Sequence, residues 1–311
     1  MRTIIVLACM LFLAGCGGGG SAPRIVSNSA GAVFTSSDAL SWTTQTPGTT
    51  NELNGVAAGT PAGSNLFVAV GDAGTILTSP DGAVWTARTS GTSSNLYGVT
   101  FGNGQFIAVG DAGTILTSPD GITWASRPSA APAQLTGVIF GNGQFVAVGL
   151  SAILTSPDGV TWTTQTYGPT KFFYGIAFGN GHFVVVGSVN ANTGTILTST
   201  DAVSWTNQET PNNLYGVAFG NGQFVAVGAG SILTSPDGKT WTSRNSGPVA
   251  NLVGVTFANG EFLVVGNTIA VSSTGFILTS PDGINWASRT TGAPSNLYGI
   301  TFGAGKFVVV G

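Results

Sequence analysis

Leu96-Tyr97-Gly98-Val99-Thr100-Phe101-Gly102-Asn103-Gly104-Gln105-Phe106-Ile107-Ala108-Val109-Gly110, followed by Ile115-Leu116-Thr117-Ser118-Pro119-Asp120-Gly121-Ile122-Thr123-Trp124, is the stretch that decides the fold. Leu96 to Phe101 reads as strand a. Gly102-Asn103-Gly104 is a turn, because Asn and Gly tolerate positive φ. Phe106 to Val109 is strand b and Thr114 to Thr117 strand c. Ser118-Pro119-Asp120-Gly121 is a second turn, with Pro where its fixed φ fits and Gly closing it. Strand d runs from Thr123 to about Arg127. Strands b and c are apolar at consecutive positions, the pattern of strands buried on both faces.

The unit recurs. Seven tryptophans, Trp42, Trp85, Trp124, Trp162, Trp205, Trp241 and Trp286, lie 36–45 residues apart. An Asp precedes each by four positions: Asp38, Asp81, Asp120, Asp158, Asp201, Asp237 and Asp282. Four-stranded units of about 40 residues, covered on both faces, are propeller blades. Ala32 to Gln45 supplies strands c and d with no a and b before them, whereas Leu297 to Gly311 supplies a and b alone. The expectation is an all-β, seven-bladed β-propeller over 25–311, one domain, its last blade completed by both halves and its exposed edges thereby removed. No segment from 24 to 311 carries a sustained helical period.

Composition fits. Only 7% of the 311 residues are charged, 9 basic and 12 acidic, while 48 are glycine and 42% are apolar. That apolar content argues for a folded core, and the glycines do not follow the period of collagen. A net charge of −3 without a basic cluster excludes a nucleic-acid partner.

The first residues read as an address. Arg2 precedes an apolar run from Ile4 to Ala14, too short to span a membrane and right for a signal peptide. Leu13-Ala14-Gly15-Cys16 resembles a bacterial lipoprotein lipobox. The resemblance implies a signal peptide at 1–15, an acylated Cys16 that becomes the new N-terminus, and a Gly-rich tether over 16–24. It also implies anchoring in the bilayer of a bacterial cell envelope. Gly17 after the modified Cys, where Asp would signal retention, implies the outer membrane if the source is Gram-negative. Cys16 would be the only cysteine of the mature chain, so no disulfide is expected.

The Ser-Pro-Asp-Gly-x-x-Trp turn resembles the Asp-box, or BNR, repeat of sialidase-type propellers. The fuller pattern is similar to the propellers typified by photosystem II stability and assembly factors. Here Asp stands four residues before Trp, where the usual box has five. The family includes enzymes and binding scaffolds, so fold does not settle function.

The candidate chemistry is sparse. The seven Asp residues could be metal ligands or general acids, but recurrence at one turn points to caps that accept backbone N–H groups. The seven Trp residues could be sugar platforms, yet their shared place in strand d points to packing. Arg88, Arg127, Arg244 and Arg289, with Gln45, Gln165 and Gln208 in the other blades, sit on the outermost strand, where they cannot converge on a carboxylate at the axis. Glu52 and Glu209 read as d–a connection residues, Glu261 as an a–b turn residue, and Asp72 and Asp111 as one repeated loop position. None forms a compelling glycosidase pair. His182 reads as a surface turn residue, no His/Cys metal spacing exists, and no cofactor is expected.

The b–c connections break the repeat. From the Gly ending strand b to the Ile of strand c they measure 4 or 5 residues, except for Gly187–Ile196 at 9 and Gly266–Ile277 at 11. These two would wall a groove with Asn190, Asn192 and Thr193 on one side and Thr268, Ser272, Ser273 and Thr274 on the other. Tyr167, Lys171 and Phe172 would add an aromatic patch beside it. The functional expectation is a monomeric, non-enzymatic binding or assembly scaffold for a protein or glycan, with an Asp-box glycoside hydrolase and a surface adhesin as the alternatives.

Overall fold

The computed structural model describes residues 31–167, 171–245, 250–268, 275–289 and 296–311. Seven four-stranded antiparallel sheets form the ring of a β-propeller. Blades 1 to 6 fall within 53–88, 96–127, 135–164, 172–210, 214–244 and 250–289. The closing blade takes its inner strands, Gly299–Gly303 and Lys306–Val310, from one end of the chain and its outer strands, Val33–Ser36 and Thr43–Gln45, from the other. Val33 pairs with Val310 and Ser36 with Phe307. Ala32 and Gly311 exchange both main-chain hydrogen bonds, at 2.9 and 3.0 Å. Among the described residues the only helical pieces are three 3-10 turns, at Pro61–Gly63, Asp72–Gly74 and Asp111–Gly113. No helix among them is long and apolar enough to cross a membrane.

The consecutive apolar residues of strand b are explained by alternation. In blade 2, Ile107 and Val109 pack with Leu135, Phe145 and Ala147 of blade 3. Phe106 and Ala108, pointing the other way, pack with Val68 and Val70 of blade 1. All four are fully buried, and each large apolar side chain so buried contributes about 1.5–3 kcal/mol. The core is therefore a cycle of inter-blade clusters. Strand d is mostly exposed.

Strand a carries one irregularity, and it positions the site. In blade 2, Leu96 pairs with Gly110 and Gly98 with Val109, so Tyr97 is left over as a bulge. The same shift falls on Asn54, Thr136, Tyr174, Tyr215 and Val253 in blades 1, 3, 4, 5 and 6. A bulge frees a residue from the ladder and re-aims its side chain. The glycine that follows lets neighbouring inner strands approach. A Cβ on Gly216 would lie 2.6 Å from the Val253 carbonyl oxygen.

Candidate functional site

The propeller has two unlike faces. The a–b and c–d turns form one, called here the Asp face. The b–c and d–a connections form the other, the Tyr face. On the ring axis lies a central channel of about 180 Å3, lined by the inner-strand glycine of each blade and the Val or Ile beyond it.

On the Asp face each repeated Asp serves its own turn. Asp120 Oδ1 accepts from the main-chain N–H groups of Ile122 and Thr123, both at 2.8 Å, and from Ser118 Oγ at 3.0 Å. The other six repeat this pattern. Those backbone donors hold all seven carboxyls below the ordinary Asp value, Asp201 and Asp237 at about 2. The tryptophans pack against the inter-blade clusters. Six of them, all but Trp42, donate Nε1–H to the main-chain carbonyl three residues back, at 2.9–3.2 Å. Blades are stitched across this face as well. Gln105 reaches the Asp158 carbonyl oxygen at 2.7 Å, Gln144 that of Asp201 at 3.1 Å and Gln223 that of Asp282 at 2.6 Å. The edge arginines are tied down locally, Arg88, Arg127, Arg244 and Arg289 each donating Nε–H to the Thr ten residues back at 2.8–2.9 Å.

The Tyr face is built differently in each blade. Around the channel mouth the bulge position carries Asn54, Tyr97, Thr136, Tyr174, Tyr215 and Val253, and the closing blade places Tyr298 directly before its channel glycine. Four of the five tyrosines of the chain thus stand in one ring. Tyr97 donates its hydroxyl to Asp111 at 3.1 Å, and Gln134 of the next blade donates to the same carboxylate at 2.8 Å. Asn54 donates to Asp72 and to the Leu96 carbonyl, both at 2.9 Å. Tyr174 shares a hydrogen bond with Ser188 at 3.1 Å and meets Tyr215 edge-on, ring centroids 5.5 Å apart. Burial pushes both phenols above their ordinary value, Tyr215 further helped by Tyr174. They are neutral donors at physiological pH.

Unpaired acceptors collect on this face. Among the described residues, five buried side-chain polar atoms have no hydrogen-bond partner. Four are amide oxygens of Gln134, Asn213, Asn267 and Asn296. Gln134 and Asn213 stand immediately before strand a, Asn296 before the Leu297 that opens the closing blade's repeat, and Asn267 immediately after the Gly that ends the repeat of strand b. Asn296 is 2% and Asn267 5% exposed. A buried acceptor without a donor costs free energy.

The residues expected to wall a groove fare unevenly. Residues 187–196 are not a loop but the end of a continuous hairpin: strand b of blade 4 runs His182–Asn190, strand c Thr193–Ser199, and Asn190 pairs with Thr193. Asn192 sits in the turn, its N–H donating to Asn190 Oδ1 at 2.9 Å. The extra residues alternate and pair, so they extend the sheet. Glu209 likewise belongs to strand d, opposite Thr195, rather than to a connection. Thr268 ends strand b of blade 6, opposite Ala250. Ser272, Ser273 and Thr274 lie outside the described residues, as does Cys16. Lys171 is turned inward, 3% exposed, its amine 2.6 Å from Asn207 Oδ1 and 3.2 Å from Thr195 Oγ1. Burial holds that amine below the ordinary Lys value. Tyr167 is half-buried with its ring on Phe173, centroids 4.9 Å apart. Phe172 is half-buried at the start of strand a. Lys171 and Tyr167 thus pack into blade 4 instead of forming an open patch.

Neither the tyrosine ring nor the amide oxygens follow from loop length, which is where the sequence varies most. The signal was the residue before the glycine in each copy of Leu-x-Gly, written Phe173-Tyr174-Gly175 in blade 4, where tyrosine accumulates. Among the described residues no three His, Cys, Asp or Glu side chains gather as a metal site would require.

No family model and no curated sequence matches the chain. Solved structures do. YCF48 bound to D1 peptide superposes with a TM-score of 0.62 at 18% identity, covering 83% of this chain and 91% of that one. The WD40 propeller domain of Doa1 gives 0.59 at 12% identity, covering 84% and 93%. At such identities the likeness concerns the fold.

Proposed function

We propose that this chain is a non-enzymatic binding or assembly scaffold, engaging a polypeptide partner over the channel mouth of its Tyr face and held in a bacterial cell envelope by acylated Cys16. One observation carries the reading. Four tyrosines, Tyr97, Tyr174, Tyr215 and Tyr298, ring the channel mouth, and burial holds the Tyr174 and Tyr215 phenols neutral. Tyrosine rings offer a polypeptide rigid amphipathic contact area at little entropic cost. That a propeller of similar fold, YCF48, is seen with a peptide supports a partner of this class. The carboxylates nearest the ring, Asp72 and Asp111, receive donors from Asn54, Tyr97 and Gln134, a structural use.

The test is chemical cross-linking in intact cells. The native chain should retain a discrete polypeptide partner that the Tyr97→Ala/Tyr298→Ala variant loses while still folding. Equal capture by the two, or turnover of fluorogenic glycosides abolished by Asp111→Asn in a folded variant, contradicts the scaffold reading. Anchoring is separable: Cys16→Ala should end fatty-acid incorporation, and persistent labelling refutes the anchor.

A further inference from the structure

Blade 1 breaks the repeat on the opposite face. In blades 2 to 6 and the closing blade, the next-to-last residue of strand a is Phe: Phe101, Phe140, Phe178, Phe219, Phe257 and Phe302. Each rests on the strand b Phe of its own blade, centroids 4.6–4.8 Å apart and planes tilted 47–62°. Each of Phe101, Phe140, Phe178, Phe219 and Phe257 also covers the glycine that ends strand a of the preceding blade, as Phe140 covers Gly102 and Phe257 covers Gly220. Blade 1 has Ala58 at this position. Its strand b residue Phe67 has no tilted ring upon it, and the atoms nearest a Cβ on Gly303 of the closing blade would be the Ala58 methyl and the edge of Phe67.

The consequence is a recess of about 250 Å3 between Phe302 and Phe101, floored by Ala58, Gly303 and Phe67. An apolar cavity of about 150 Å3 is already enough to take up benzene. Two further departures shape it. The connection from Gly59 to Leu66 replaces the short Gly-Asn-Gly turn and places Thr60 and Asn65 on the rim. Leu66 stands where Gln105 and Gln144 stitch their blades, leaving an apolar wall. None of the ten lining residues is charged.

We propose that this recess is a receptor for one phenyl ring, carried on a phenylalanine side chain of a partner polypeptide. Six sister positions show what the place accepts: a Phe tilted on the strand b Phe, in five of them passing over a glycine of the preceding blade. Here the chain's own backbone arrives with Ala, so the ring has to come from outside. Thr60 and Asn65 can hydrogen-bond the main chain on either side of it, and the uncharged lining selects a neutral side chain. The site is distinct from the Tyr face and does not depend on the function proposed for it.

The test is methyl NMR on the full chain, with N-acetyl-L-phenylalaninamide, N-acetyl-L-leucinamide and toluene as probes. The phenylalanine amide should give saturable shifts at the Ala58 and Ala304 methyls, with the leucine amide about tenfold weaker. Ala58→Phe should fill the recess from within, raise Tm by about 2 °C and abolish binding read at Ala304. Should that variant fail to fold, Ala58→Leu decides, with an expected loss of about tenfold. The Tyr97→Ala/Tyr298→Ala variant should bind the amide as the native chain does. Absence of saturable shifts overturns the proposal. So does binding that survives in both Ala58 variants, or toluene binding while the phenylalanine amide does not.

Discussion

The Asp face and the Tyr face are made by the same strands, yet only one of them is repetitive. On the Asp face a Ser, an Asp and two backbone N–H groups close every c–d turn in the same way. On the Tyr face the residue before the channel glycine is Asn, Tyr, Thr, Tyr, Tyr, Val and Tyr in successive blades. Where the requirement is architectural, each blade has the same problem and the same solution. Where residues differ from blade to blade, a shared folding requirement does not explain them, and surroundings outside the chain become the better explanation.

The largest effect should come from opening the ring that both faces share. Removing 297–311 deletes the inner hairpin of the closing blade and the partners of Val33 and Phe34. The expected outcome is loss of the cooperative thermal transition by near-UV circular dichroism. A truncated chain melting like the intact one breaks the closure account. Next is Gly216→Val at the axis, whose Cβ would meet the Val253 carbonyl. It should cost about 3 kcal/mol in denaturant unfolding, since the inner strands cannot separate without moving two blades.

Acid should then act on one face before the other. The turn carboxyls have folded pKa values depressed by backbone donors, to about 2 at Asp201 and Asp237. A depressed carboxyl contributes stability that is present above its unfolded value of 3.8 and is lost as pH falls through the folded value. Tm should therefore be flat above about pH 5 and fall between about pH 4 and 2. Asp120→Ala should lower Tm at pH 7 and shrink that acid-dependent drop. A steep loss centred near pH 6 would implicate other groups. The smallest stability effect belongs to the Tyr face. Tyr97→Phe removes one hydroxyl from Asp111, which keeps Gln134 as a donor, and should change unfolding free energy by about 1 kcal/mol or less.

The sequence carried most of the architecture because it is written seven times. Consecutive apolar residues such as Phe106 to Val109 announce strands covered on both sides, and the half-units at 32–45 and 297–311 announce the closure. The functional surface was harder to read. The bulge at Tyr97 is a register shift, visible only once Leu96 and Gly98 have partners. Extra residues between Gly187 and Ile196 look like a loop in sequence, but alternation lets them pair as a hairpin. Lys171 looks like a surface charge, yet its long stem carries the amine back to Asn207 and Thr195. Ala58 was legible in principle as the one strand a end that lacks Phe, but its meaning depends on ring packing between blades.

The contrast between the faces can be tested directly with a photo-cross-linking amino acid. It would be placed at Tyr97 on the Tyr face and, in a separate variant, at Val203, which is 49% exposed in the blade 4 c–d turn of the Asp face, across the ring from the recess of blade 1. After irradiation of intact cells, the account predicts a discrete adduct with a polypeptide from position 97 and none from 203. An adduct from 203 alone, or the same adduct from both, would contradict it.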